Sequence, residues 1–305
     1  MESRNFFTTF AKLIIFRAEL TSLQKIYCLA LGLLLLSASP AAAGIREDVE
    51  YLSSPLLKGR ATGSTGAVET TWYVMRRFAA AGLETSVQSF DAGHGVGRNV
   101  VGIHCGNPSS KSFVLVMAHF DGIGSYEGDV YPGADSNASG VAVLLSLADS
   151  LAGASANYIF AAVDAHEASL QGAEMLASQG YKISMAVNLD ILGSTLAPPN
   201  KYRPDFLIIL GGDKFEKQHS KEMDALNAGP QLRLYYDYYR SKAFTDYFYN
   251  RASDQAPFIR RNIPAVMFTS GITMNTNKPS DTSDTLDYGV LERRRAFILS
   301  WLRTL

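Results

Sequence analysis

Five short apolar runs constrain this chain more than any other feature of its sequence. Phe113–Ala118, Tyr158–Val163, Met185–Leu189, Phe206–Leu210 and Ala265–Phe268 are apolar throughout, apart from Asn188 and the phenol of Tyr158. A strand with one face in water alternates apolar and polar residues, whereas an unbroken run marks a strand covered on both faces. Before, between and after the runs lie segments of helical spacing. Ser64–Ala81 repeats Val68, Trp72, Met75 and Phe78 before the stop at Gly82. Ala138–Leu151 and Ala168–Ser178 read the same way, and Val290–Leu305 places Leu291, Ile298, Trp301, Leu302 and Leu305 on one side. Buried strands alternating with helices predict an α/β chain, a three-layer sandwich with a mixed, largely parallel central sheet. No repeat, low-complexity tract or linker divides residues 44–305, which read as one domain.

The chain has 305 residues, 47% of them hydrophobic and 19% charged, which fits a folded core and excludes disorder. A formal net charge of -1 lacks the basic excess of a nucleic-acid binder. No apolar run reaches the roughly 18 to 20 residues of a membrane span. Near the start, Ile26–Leu36 is apolar, follows Lys25 and precedes the small residues Ala41 and Ala43. That order is the pattern of a secretory signal peptide, expected as residues 1–43 and removed before Gly44. A periplasmic or secreted location follows as an expectation. Cys28 falls inside that leader, so Cys105 stands alone in the mature chain and no disulfide framework can form.

The chemistry sits where the apolar runs end. In open α/β sheets ligands bind beyond the carboxyl ends of the strands. His119-Phe120-Asp121 follows the first run, Asp164-Ala165-His166-Glu167 the second, and Asp190 the third. Gly133–Gly140, containing Asp135, leads into a helix between the first two. One Asp before a helix is ordinarily an N-cap and one His at a strand end ordinarily structural. Several acids at one sheet edge are costly unless a cation neutralises them. His119, Asp135, Glu167 and Asp190 supply an imidazole and three carboxylates, a set suited to zinc or a similar divalent ion. Asp121 is placed to accept the second ring N–H of His119.

These segments resemble peptidase family M28, which includes zinc aminopeptidases and the related glutaminyl cyclases. The likeness runs from Leu52–Arg60 through Arg98–Val101, the His119 and Gly133–Gly140 segments and Asn188–Gly193. It continues through Ser253–Phe258 and Asn262–Val266 to Pro279–Tyr288. The resemblance implies that His119 and Asp190 bind one metal, that Asp135 bridges, and that Glu167 binds a second metal, with Asp121 orienting His119. In active members two acids stand together, the first a general base; here that pair is His166-Glu167. The family's later Tyr-His pair falls on Thr276-Asn277, and no histidine follows His219.

An amide oxygen at Asn277 is a poorer zinc ligand than imidazole, so one zinc ion well held and a second site weak or empty are expected. Three readings of His166 stay open: a base, a ligand that compensates for Asn277, or a solvated residue in a site that no longer turns over. The loss of a phenol at Thr276 removes a stabiliser typically worth about 3 kcal/mol in acyl transfer.

The leading expectation is an exported, monomeric, metal-dependent exopeptidase, most like an aminopeptidase, acting on peptide or aminoacyl substrates with reduced or altered activity. The alternatives are an inactive binding protein on the same fold and, less strongly, a glutaminyl cyclase. The cyclases ring their pocket with tryptophan, whereas Trp72 and Trp301 fall in peripheral helices. The aromatic stretch Tyr235–Tyr239 with Phe244, Tyr247, Phe248 and Tyr249 reads mainly as packing, and Arg293-Arg294-Arg295 as a solvated face. His94 reads as a loop residue and His219 as exposed. No G-x-S-x-G occurs, which disfavours a serine hydrolase.

Overall fold

Alternation within each apolar run sends its side chains to two different cores. In the computed structural model, which describes residues 43–93, 95–196 and 203–305, each run is a strand. They are β3 (Phe113–His119), β6 (Asn157–Val163), β7 (Ile183–Leu189), β8 (Phe206–Leu210) and β10 (Ala265–Thr269). Val114, Val116 and Ala118 of β3 join one core, while Leu115 and Met117 join the other; Tyr158, Phe160 and Ala162 of β6 divide from Ile159, Ala161 and Val163 in the same way. The first core is covered by helices α1 (Ile45–Leu52), α2 (Thr65–Ala80), α3 (Gly140–Leu151), α5 (Gly212–Leu226) and α8 (Tyr288–Leu302). The second is covered by α4 (Gln171–Ala177) and the short α7 (Ala256–Ile259). This is the expected three-layer sandwich. Residues 1–42 of the expected leader, Cys28 among them, and also His94 lie outside the described residues.

The sheet has eight strands in the order β1-β2-β6-β3-β7-β10-β8-β9, with β1 (Glu84–Asp91), β2 (Val96–Cys105) and β9 (Arg233–Tyr235) completing it. Its centre, β6-β3-β7-β10, is parallel, so these four strands end at one edge. Antiparallel pairing of β1 with β2, β2 with β6, and β10 with β8 makes the sheet mixed. A hairpin of β4 (Gly124–Tyr126) and β5 (Asp129–Tyr131) stands apart from it. Among the described residues no helix is long and apolar enough to cross a membrane.

Four expectations about packing are corrected. Helix α2 starts as expected, Ser64 Oγ accepting from Ala67 N at 3.1 Å. It nevertheless buries Ala67, Thr70, Thr71, Val74, Arg77 and Phe78, leaving Trp72 55% exposed. The inward polar residues explain the rotation, because Arg77 pairs with buried Asp48 and with Asp149 and both threonine hydroxyls bond back to helix carbonyls. Trp301 is not peripheral: it is fully buried, edge-on to Phe215 and Phe268. Arg294 is not on a solvated face. It is 0% exposed and donates to the carbonyls of Phe206 (2.8 Å), Leu192 (2.6 Å) and Ser194 (3.0 Å). Arg293 and Arg295 remain partly exposed. His219 is only partly exposed and packs on Phe215 and Trp301.

Candidate metal centre

Strand β3 delivers His119 to the edge where β6 and β7 also end, and β7 delivers Asp190 beside it. His119 Nε2 lies 3.5 Å from Asp190 Oδ1, and both residues are buried. The other ring nitrogen, Nδ1, lies 3.1 Å from the main-chain carbonyl of Asp121 and 3.7 Å from its carboxylate. Asp121 thus orients the ring chiefly through its backbone. Its carboxylate accepts from the main-chain N–H groups of His166 (3.0 Å) and Glu167 (3.1 Å), holding the loop after β6 against His119.

That loop turns His166 inward. Ala165 sits at φ 58°, and Ile191 after Asp190 also at φ 58°, a left-handed region that L-residues adopt at a cost of about 1–3 kcal/mol. The His166 imidazole stacks on that of His119, with centroids 3.8 Å apart and planes 13° from parallel. Its Nδ1 lies 2.9 Å from Oδ2 of fully buried Asp254. One ligand atom each from His119, His166 and Asp190 lie within 4.8 Å of one another.

Asp135 is buried nearby in a bed of donors. Its Oδ1 accepts from Gly193 N at 2.7 Å and from Ser139 Oγ at 3.2 Å. Its main-chain N–H donates to Asp281, whose second oxygen accepts from Ser136 N. Glu167 is exposed, and Asn277 is exposed at φ 60° in a loop beside Tyr131, Gly133, Ser136 and Asp281. Glu167 does not belong to the His119–His166–Asp190 group. Thr276 lies in that same loop, with its hydroxyl accepting from Thr273 N.

Several residues that build the site are given no role by spacing or charge, although most lie in segments that carry the family resemblance. Asn137 is a buried junction: its amide donates to the carbonyls of Leu189 and His119 and its oxygen accepts from Gly140 and Ile191. Ser253 donates to Asp190 Oδ2 at 2.5 Å and accepts from Asn188, which also donates to Gln255. Gln255 in turn holds the carbonyls of Phe248 and Tyr249. Tyr238 is buried, its hydroxyl accepting from Ile272 N at 2.7 Å, and the Tyr239 hydroxyl donates to Ile272 O at 2.8 Å. Part of the aromatic stretch therefore secures the loop that runs toward Thr276. Arg60 is buried and donates to the carbonyls of Phe120 (2.7 Å), Pro132 (2.7 Å) and Gly133 (2.9 Å), so it grips the turns beside His119 and Asp135.

The electrostatics ask for a cation. Asp121, Asp135, Asp164, Asp190, Asp254 and Asp281 are all buried around this edge, and Arg60 and Arg294 are the buried guanidiniums facing them. Burial, with the charge of Asp281 beside it, pushes the Asp135 carboxyl up to about 7. Burial also lowers both arginines to about 10. For Asp190, burial is outweighed by hydrogen bonding and charge from His119, with smaller help from His166 and Ser253, and its carboxyl falls to about 2. His119 moves oppositely: burial disfavours its cation, yet Asp121 and Asp190 together hold its pKa well above the ordinary value. Among the described residues, His119 Nε2, Asp135 Oδ2 and Asp254 Oδ1 are buried without a hydrogen-bond partner. Buried polar atoms are normally paired, so orphaned lone pairs among excess carboxylates fit a divalent ion. The donor types, imidazole nitrogen and carboxylate oxygen, are those of zinc.

Comparison with known proteins bears on the fold and on the family. In the curated set, the uncharacterized protein YfbL of Escherichia coli (strain K12) is 31% identical over 107 residues, which is 34% of this chain and 32% of YfbL. The chain thus spans about a third of the length of that relative. Among solved structures, a zinc aminopeptidase from Bacillus subtilis superimposes with TM-score 0.69 at 12% identity, covering 86% of this chain and 94% of that one. LapA of Legionella pneumophila gives TM-score 0.69 at 15% identity over 87% of this chain and 73% of its own. A glutaminyl cyclase from Porphyromonas gingivalis gives 0.63 at 16%, covering 86% and 97%. At these identities the superpositions establish the fold. The sequence itself matches the family model for peptidase family M28 over residues 99–302. With that match spanning most of the chain and the three-layer fold beneath it, the protein belongs to peptidase family M28.

Proposed function

We propose that the protein is an exported, metal-dependent exopeptidase, most like an aminopeptidase, that hydrolyses peptide or aminoacyl substrates as a monomer with reduced or altered activity. The observation that carries this reading is the buried convergence of His119 and Asp190 at the carboxyl edge of the parallel strands, with lone pairs left unpaired. A bound zinc-type ion supplies polarisation of a substrate carbonyl and acidification of water. The chain's own residues prepare that edge. The Asp121 carbonyl accepts a hydrogen bond from His119 Nδ1–H, which leaves Nε2 as the free lone pair. Ser253 occupies Asp190 Oδ2 and leaves Oδ1 on the His119 side. Asp281 and Gly193 fix Asp135 from two directions.

Altered activity rests on two positions. An imidazole stands at His166, where the family pattern has the acid that accepts a proton, and the exposed Thr276-Asn277 loop supplies neither the phenol nor the imidazole of that pattern. Export rests on the leader-like order of residues 1–43. The same substitutions favour the second reading, a non-catalytic peptide-binding protein on this fold. Glutaminyl cyclisation is weaker, since Trp72 is on an outer face and Trp301 in the core. The deciding experiment is hydrolysis of aminoacyl nitroanilides and short peptides by zinc-loaded protein, with and without chelator. Chelator-sensitive release of the N-terminal residue supports the exopeptidase; no turnover, with peptide still bound, supports the binding protein.

A further inference from the structure

We propose that His166 is a ligand of the ion, so that His119, His166 and Asp190 form a single-ion centre in place of a metal pair, with Asp254 as the residue that aims His166. The inference rests on the metal-dependent reading above. One ring nitrogen of His166 lies within 4.8 Å of a ligand atom of His119 and of one of Asp190. Two ligands on one zinc stand at most about 4 Å apart, given bonds near 2.0–2.1 Å. The stacked rings need only splay to share an ion. Asp254 settles which nitrogen is offered: with Nδ1–H donated to Oδ2 at 2.9 Å, the lone pair resides on Nε2. Asp254 is 0% exposed and carries an orphaned Oδ1, so it is a dedicated carboxylate behind the ring rather than a surface partner.

The residues that would serve a second ion stand apart. Glu167 is exposed, its backbone held by Asp121, and Asn277 is exposed in its own loop. Two imidazoles and one carboxylate with open positions make up a common catalytic zinc set. His166 therefore replaces in nitrogen what the chain lacks at Asn277, and it does so from a different strand end.

Zinc K-edge X-ray absorption of the purified wild-type protein loaded with zinc counts the imidazoles without relying on any variant. The expected result is one ion per chain with two imidazoles. His166→Gln, checked for native circular dichroism, should show one imidazole and bind zinc at least 100-fold more weakly. Asp254→Asn should weaken binding about 10- to 100-fold. Glu167→Gln and Asn277→Ala should bind as wild type. One imidazole in the wild type, two ions per chain, or unchanged zinc affinity in His166→Gln overturns the proposal while the exopeptidase reading stands. Failure of the wild type to bind zinc overturns both.

Discussion

Replacing Arg294 with methionine tests whether a buried guanidinium in the last helix holds the metal-bearing loop in place. The side chain is 0% exposed and donates to the carbonyls of Phe206, Leu192 and Ser194, the latter two following Asp190 within four residues. Methionine fills similar volume but leaves three buried carbonyls unpaired, each costing about 1–3 kcal/mol. Removing a desolvated cation returns part of that. The expected net loss is about 3–5 kcal/mol, measured as the urea midpoint and m-value of metal-free protein. At about 2–4 °C per kcal/mol for a domain of this size, the melting temperature should drop by roughly 10 °C. Arg293→Met, on the exposed side of the same turn, should stay within about 0.5 kcal/mol. If the two variants unfold alike, or Arg294→Met loses less than about 1 kcal/mol, the clamp has been misread.

The remaining predictions follow from the same geometry. Stripping the metal should lower the melting temperature and adding zinc at about 100 times its dissociation constant should restore about 2.7 kcal/mol, with no such response in His119→Ala. The double variant His166→Glu with Asn277→His rebuilds the family's acid pair and its later imidazole ligand, so elemental analysis should count two ions per chain where the wild type holds one. Asp48→Ala leaves the Arg77 cation buried beside only Asp149, and should cost about 3–5 kcal/mol by denaturant melt. Gly271→Ala places a Cβ against the Tyr239 hydroxyl at φ +81°, so proteolysis should cut the 270–277 loop faster in the variant.

The strands, the three layers and the edge bearing His119 and Asp190 could be read from the chain because each leaves a local trace. Unbroken apolar runs mark doubly covered strands, and an acid or imidazole directly after such a run must sit at the sheet's rim. His166 also follows such a run, but which of its three readings applies left no local trace. Its inward turn depends on Ala165 adopting a left-handed φ and on Asp254, 88 positions away, receiving its Nδ1. Arg294 and Trp72 misled for a related reason. A charged residue is read as exposed and an indole as buried unless a distant partner reverses the balance, and here the carbonyls of Leu192 and Ser194, and the Asp48–Arg77 pair, do so. Asn137, Ser253 and Asp281 are short polar residues whose importance lies wholly in long-range hydrogen bonds, to which periodicity is blind.

The most direct test of the account is anomalous diffraction at the zinc edge from a crystal grown with zinc. The account predicts one strong peak within bonding distance of His119 Nε2 and Asp190 Oδ1. A map with no peak between those side chains, or with zinc only at surface carboxylates, would contradict it.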